Sequence, residues 1–163
     1  MRLIVIIILL ITSCTTSSKF QTKTQTIRIP SKFQIENLQT ELLEMIKLDQ
    51  LYRQQIVELK ENASKVDSSL IDSLLSQQKT MDTLNTVKLL EISKRFGFPN
   101  TTRFKGIPAF LIFQHSPTQY FPEINELIER EYNAERLPPM EYEMIKWHLN
   151  GRQGTPFKIS IDQ

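Results

Sequence analysis

The chain of 163 residues contains two histidines, and one of them, His115, follows directly on Gln114 and a wholly apolar run at residues 109–113. Imidazole titrates nearest neutrality, so a histidine emerging from a core segment is a candidate general acid or base once a carboxylate orients it. Two aspartates could supply that carboxylate. Asp49 falls where the series Ile35, Leu38, Leu42, Met45, Tyr52, Ile56, Leu59 calls for an apolar residue, and Arg53 follows one helical turn later. A charge on a core-facing stripe has to be paired, because isolating it costs several kcal/mol. Asp82 and Asn85, three residues apart, share one face of a second helical segment. Asp49, Arg53, Asp82, Asn85, Gln114 and His115 are therefore the candidate polar site, catalytic or binding.

Three kinds of chemistry suit these six residues. In a hydrolase-like enzyme His115 would move the proton, Asp49 or Asp82 would orient it, and Arg53 would hold an anionic substrate group. In a non-enzymatic module the same residues would line a polar groove for a protein or small-molecule partner. In an architectural network they would only fix how the helices pack. The sequence favours the second, since it has no Gly-rich phosphate loop, no His-Glu-x-x-His and no nucleophile elbow. No cofactor is expected. His115, His148 and an aspartate have no diagnostic ligand spacing, so no metal site is expected either.

A separate chemistry belongs to Cys14, the only cysteine. Arg2, nine apolar residues at 3–11, and then Ile11-Thr12-Ser13-Cys14 read as a lipoprotein signal peptide ending in a lipobox. At 1.5 Å per helical residue the apolar run covers roughly 14 Å, about half of a ~30 Å hydrocarbon core, so it is a signal and not a span. Acyl chains on Cys14 would give the multiple-chain anchoring that one chain cannot. Residues 1–13 are then the leader, and 14–33 the lipidated cysteine with its tether. The stretch 15–26 is rich in Ser, Thr, Lys and Gln. Thr15 is not the aspartate that retains many lipoproteins in an inner membrane, so the expected location is an outer membrane facing the periplasm, where the envelope has two. The formal charge of +2, near +1 once Arg2 leaves, is too balanced for nucleic acid to be the expected partner. The membrane is the expected one.

Positioning the six polar residues falls to residues 34–163, the length of one domain. The spacing predicts an all-α fold of about five helices. The first carries the Asp49 stripe, and the small and polar residues 62–69 interrupt it. The second starts at Ser68 or Ser69 and runs to about Phe96, with Gly97 ending it and Pro99 preventing its resumption. Its apolar lines are Leu70, Leu74, Met81, Leu84 and then Leu89, Ile92, Phe96. Pro108 turns the apolar run 109–113 toward helix. A fourth helix is expected over 118–136, with Phe121, Ile124, Leu127, Ile128 and Tyr132 inward, and a fifth over 140–150, anchored by Trp147 and capped by Gly151. The tail 156–161 alternates weakly, as a short extended segment would.

Taken in order, Asp49-Gln50 with Arg53, Asp82 with Asn85, Gly97-Phe98-Pro99 and Gln114-His115 resemble the bacterial domain-of-unknown-function family 6624. Its members carry Asp-Gln-x-x-Arg, Asp-x-x-Asn, Gly-Trp-Pro and Gln-His. The likeness runs from about Leu42 to Gly154 and implies a mainly α fold with no established activity. This chain departs from the pattern in three places. Phe98 replaces the usual tryptophan, and Ser116-Pro117 replaces Ala-Asp. Trp147-His148-Leu149-Asn150-Gly151-Arg152 with Gly154-Thr155-Pro156 replaces an Asp-Arg pair and a Tyr-Gly-Thr-Gln end.

Overall fold

The computed structural model describes residues 27–62 and 68–156. The leader, Cys14 and the stretch 15–26 lie outside these residues, as does the tail from 157 onward. Among the described residues the fold is all-α. Helix α1 spans Lys32–Asn62, α2 Ser68–Phe96, α3 Phe110–Gln114, α4 Phe121–Asn133 and α5 Pro139–Leu149, with no strand. None of these helices is long and apolar enough to cross a membrane.

Helix α1 begins at a reciprocal cap. The Gln34 amide donates to Ser31 Oγ at 3.3 Å, and the Ser31 amide donates to Gln34 Oε1 at 3.0 Å, satisfying two donors that the first turn leaves open. Its stripe is as the periodicity predicts: Leu38, Leu42, Met45 and Ile56 are buried, and Asp49 is buried among them. Helix α2 returns against α1 and stops at Gly97, whose φ of 78° is the left-handed conformation suited to glycine. A Cβ there would also meet Glu131 Oε2 at 3.2 Å and Arg103 Nη1 at 3.3 Å. Arg103 Nη1 donates to Phe96 O, placing a cation at the negative end of α2.

The core gathers Leu42 of α1, Leu89 of α2, Phe98 and Phe104 of the following turns, Ile112 and Phe113 of α3, Ile124 and Ile128 of α4 and Ile145 of α5. It covers only the C-terminal half of α2, whose buried residues begin at Asn85. This corrects the line Leu70, Leu74, Met81, Leu84. Leu70 and Leu84 are 47% and 57% exposed, since among the described residues no side chain of α2 before Asn85 is buried. The expected fourth helix is shorter than 118–136: a 3₁₀ turn at Thr118–Tyr120 precedes α4, and Glu135 at φ 57° reverses the chain after it. Tyr132 is not a core residue but stacks on Tyr142 with ring centroids 4.1 Å apart near the surface. Ile145 anchors α5, being fully buried. Trp147 instead closes the turn after α5, its Nε1 donating to Gly154 O at 3.0 Å.

Candidate functional site

Four of the six predicted site residues converge. The helical period turns Asp49 of α1 inward, and the α1–α2 hairpin brings Asp82 opposite. Helix α3 ends so that His115, its C-terminal cap residue, meets Asp49. His115 Nδ1 lies 2.9 Å from Asp49 Oδ2 and 3.1 Å from Oδ1. A carboxylate only accepts, so Nδ1 carries the hydrogen in this contact, and the neutral ring then holds its lone pair on Nε2. The Asp49 side chain is 1% exposed and that of His115 18%. The dyad is thus sealed at the carboxylate and open at the imidazole.

Arg53 closes the other side. Its Nη2 donates to Asp82 Oδ1 at 2.5 Å and reaches Asp49 Oδ1 at 3.4 Å, bridging the two helices. Gln50 Nε2 adds a bond to Asp49 Oδ2 at 2.6 Å. Burial alone would raise the Asp49 pKa. The hydrogen bond and charge of His115, then those of Arg53, outweigh it and hold the group below its ordinary value. Asp82 goes the other way: burial pushes its carboxyl up by more than Arg53 pulls it down, and the charge on Asp49 adds to the rise. Two carboxylates joined by one guanidinium therefore have their pKa values pushed apart, the pattern by which acid and base roles separate. The four residues sum to one negative charge with His115 neutral and to zero with it protonated, so Arg53 is balanced within the cluster in either state.

Asn85 and Gln114 do not join the cluster but support it. The buried Asn85 donates from Nδ2 to Met45 O at 3.1 Å, pinning the turn of α1 that precedes Asp49. Gln114 Nε2 donates to Met144 O of α5 at 3.3 Å, fixing the end of α3. Among the described residues no group of three or more His, Cys, Asp or Glu is placed to hold a metal ion. His148 reaches a backbone carbonyl instead: its Nε2 lies 3.0 Å from Ser116 O. A carbonyl can only accept, so Nε2 carries the hydrogen; Nδ1 is left to accept from Arg152 Nε at 3.2 Å. Burial lowers the His148 pKa, and the charges of Arg152, His115 and Arg53 add to this against the Ser116 bond.

Two further buried acids were missed in the sequence, Glu131 and Glu141, both fully buried. Glu131 accepts from Arg136 Nε at 2.8 Å and from the Phe98 amide at 3.3 Å, and Glu141 Oε1 from the Thr101 amide at 3.0 Å. They hold the Gly97–Arg103 turns, not the His115 cluster. A signal for Glu131 was present: it continues the series Ile124, Leu127, Ile128, as Asp49 continues its own.

No curated protein and no solved structure matches the chain. One family model does, over residues 36–133, a stretch containing all four members of the cluster and both supporting amides. The chain belongs to the Family of unknown function (DUF6624).

Proposed function

We propose that this domain is a hydrolase-like, membrane-tethered envelope protein in which His115, oriented by Asp49, is the general base. The observation that carries this reading is the Asp49–His115 contact, with both carboxylate oxygens within 3.1 Å of Nδ1 on a side chain that is 18% exposed, which leaves Nε2 as the nitrogen free to take a proton. In the step proposed, Nε2 takes a proton from a water as its oxygen attacks an electrophilic carbon of the substrate. Asp49 stabilises the imidazolium, which then gives the proton to the leaving group. Because Arg53 is balanced by two carboxylates, the substrate class proposed is neutral or cationic, not anionic. The tether follows from the lipobox: acylation of Cys14 would hold the domain at an outer membrane, facing the periplasm.

The test is a panel of neutral and cationic esters, amides and glycosides offered to the purified chain and to His115→Gln. Turnover of one class that falls by about 10²–10⁴ in kcat/KM in the variant supports the reading. Equal rates from both proteins, or no turnover of any class, would overturn it. Incorporation of labelled palmitate that Cys14→Ser abolishes is the expected result for the anchor.

A second reading, a binding or interaction module for a protein partner, is favoured by a different observation. Leu43 and Val57 of α1 and Leu70 and Leu84 of α2 are all about half or more exposed, apolar surface that a partner laid along the hairpin would cover. Partner capture that survives His115→Gln and fails in Leu84→Glu would select it.

A further inference from the structure

We propose that His148 and Arg152 are positioning residues for His115, acting through the two peptide carbonyls that flank it. This rests on the reading of His115 as the proton-transfer group. Arg152 Nη2 donates to Gln114 O at 2.6 Å, and His148 Nε2 donates to Ser116 O at 3.0 Å. The residues on either side of His115 are thus gripped from one place, the end of α5. The grip is itself tied together, since Arg152 Nε donates to His148 Nδ1 at 3.2 Å. One guanidinium therefore holds the carbonyl before His115 and fixes the tautomer of the ring that holds the carbonyl after it.

The local backbone is bent to make this possible. Gly151 and Arg152 have φ of 75° and 59° in succession, so the chain doubles back after α5 and Arg152 returns over His148. A left-handed arginine is unfavourable by itself and persists where surrounding contacts hold it. Here they are its own amide on Trp147 O at 2.8 Å, the indole face 5.6 Å from its guanidinium carbon, and the two side-chain bonds already given. Helix α3 is only five residues long, and His115 lies just past its last residue, where the helix itself no longer sets the direction of the chain. Held at both flanking carbonyls, His115 is presented to Asp49 with Nδ1 inward. These residues lie beyond the stretch that the family model matches, in the segment where the sequence departs most from the family pattern.

The experiment reads the His115 tautomer directly, by ¹⁵N-detected NMR of the histidine-labelled full chain at neutral pH, and needs no substrate. Arg152→Lys keeps the charge but cannot reach both acceptors, and His148→Phe removes the second donor. Each is expected to raise the Nε2–H fraction of His115 about fivefold, the ratio set by one net hydrogen bond. His148→Gln, whose amide both donates and accepts, is expected to restore the wild-type ratio. Tyr142→Phe, which loses the Glu129 bond made from the same helix, is expected to leave it unchanged. An unaltered tautomer in folded Arg152→Lys and His148→Phe would overturn the proposal, as would an equal change in Tyr142→Phe. A substrate panel without turnover would sink the hydrolase reading and leave this measurement intact.

Discussion

Replacing Asp49 by asparagine keeps the shape of the side chain while removing its charge and one of its two acceptors. The carboxylate receives His115 Nδ1 at 2.9 Å, Gln50 Nε2 at 2.6 Å and Arg53 Nη2 at 3.4 Å, three donors for which an amide has only one oxygen. Bonds to a charged group contribute about 1.5–3 kcal/mol each, but the three do not count equally. The Arg53 contact is long, and that guanidinium keeps Asp82; Gln50 is half-buried and can turn toward water. The amide oxygen can still accept from His115, but the bond loses its charge assistance, about 1 kcal/mol, and the amide NH2 becomes a buried donor facing other donors, about 1–2 kcal/mol, so the expected cost is about 2–3 kcal/mol, less than the ~3–5 kcal/mol of leaving a buried charge wholly unpaired. At roughly 3–4 °C per kcal/mol for a domain of this size, Asp49→Asn should melt about 6–12 °C below wild type at neutral pH. The pH dependence checks the cause. Because the folded Asp49 pKa is depressed below 3.8, its contribution is fully present above that value and is lost as pH falls through the folded pKa. Thermal melts followed by circular dichroism at pH 7 and in acid should therefore show the gap between the two proteins closing at low pH. Coincident melts at pH 7, or a gap that persists unchanged in acid, would refute this account of the cluster.

Three other outcomes are expected. His148 has a folded pKa below 6.5, so as pH falls below 6.5 the unfolded chain takes the proton first and stability declines until the lowered folded pKa is passed; His148→Gln should flatten that part of a pH–stability curve. Gly97→Ala combines a φ of 78° with a Cβ 3.2 Å from Glu131 Oε2, and should cost about 1–3 kcal/mol in denaturant unfolding. Glu141 is buried with Oε2 unpartnered and its pKa raised by burial despite the Thr101 bonds. Glu141→Gln keeps an oxygen for Thr101 and removes the charge, so it should stabilise the domain by about 1 kcal/mol at pH 7, with the gain vanishing in acid, where the wild-type carboxyl is protonated.

The parts of this fold that were legible in the sequence are those set by local period and by chain-breaking residues. Asp49 announced itself because helical spacing assigns a face to every position, and its face already held Leu42 and Met45. Gly97 and Pro99 marked the end of α2 for reasons internal to the backbone. Periodicity could not say how far a second layer extends. It gave Leu70 and Leu84 an apolar face, but whether anything covers that face depends on where α3–α5 sit, and they stop near Asn85. Asn85 and Gln114 were singled out for their type, yet their acceptors are the carbonyls of Met45 and Met144. Every residue offers such a carbonyl, so no composition rule points to the pair. His148 and Arg152 were hidden for the same reason. Trp147 misled because size suggests core, whereas an indole with a free N–H is equally suited to closing a turn at the surface.

The position of the Arg53 bridge along the hairpin has a mechanical consequence. Asp49, Arg53 and Asp82 stand near the point where the buried part of α2 ends, and α1 runs about 14 Å beyond Arg53, to Asn62, alongside α2. That outer stretch is a lever whose fulcrum is the clasp between the two aspartates. A partner gripping Val57 or Leu70 would apply its torque at Arg53, so that a small swing of the hairpin would widen or narrow the gap between Asp49 and His115.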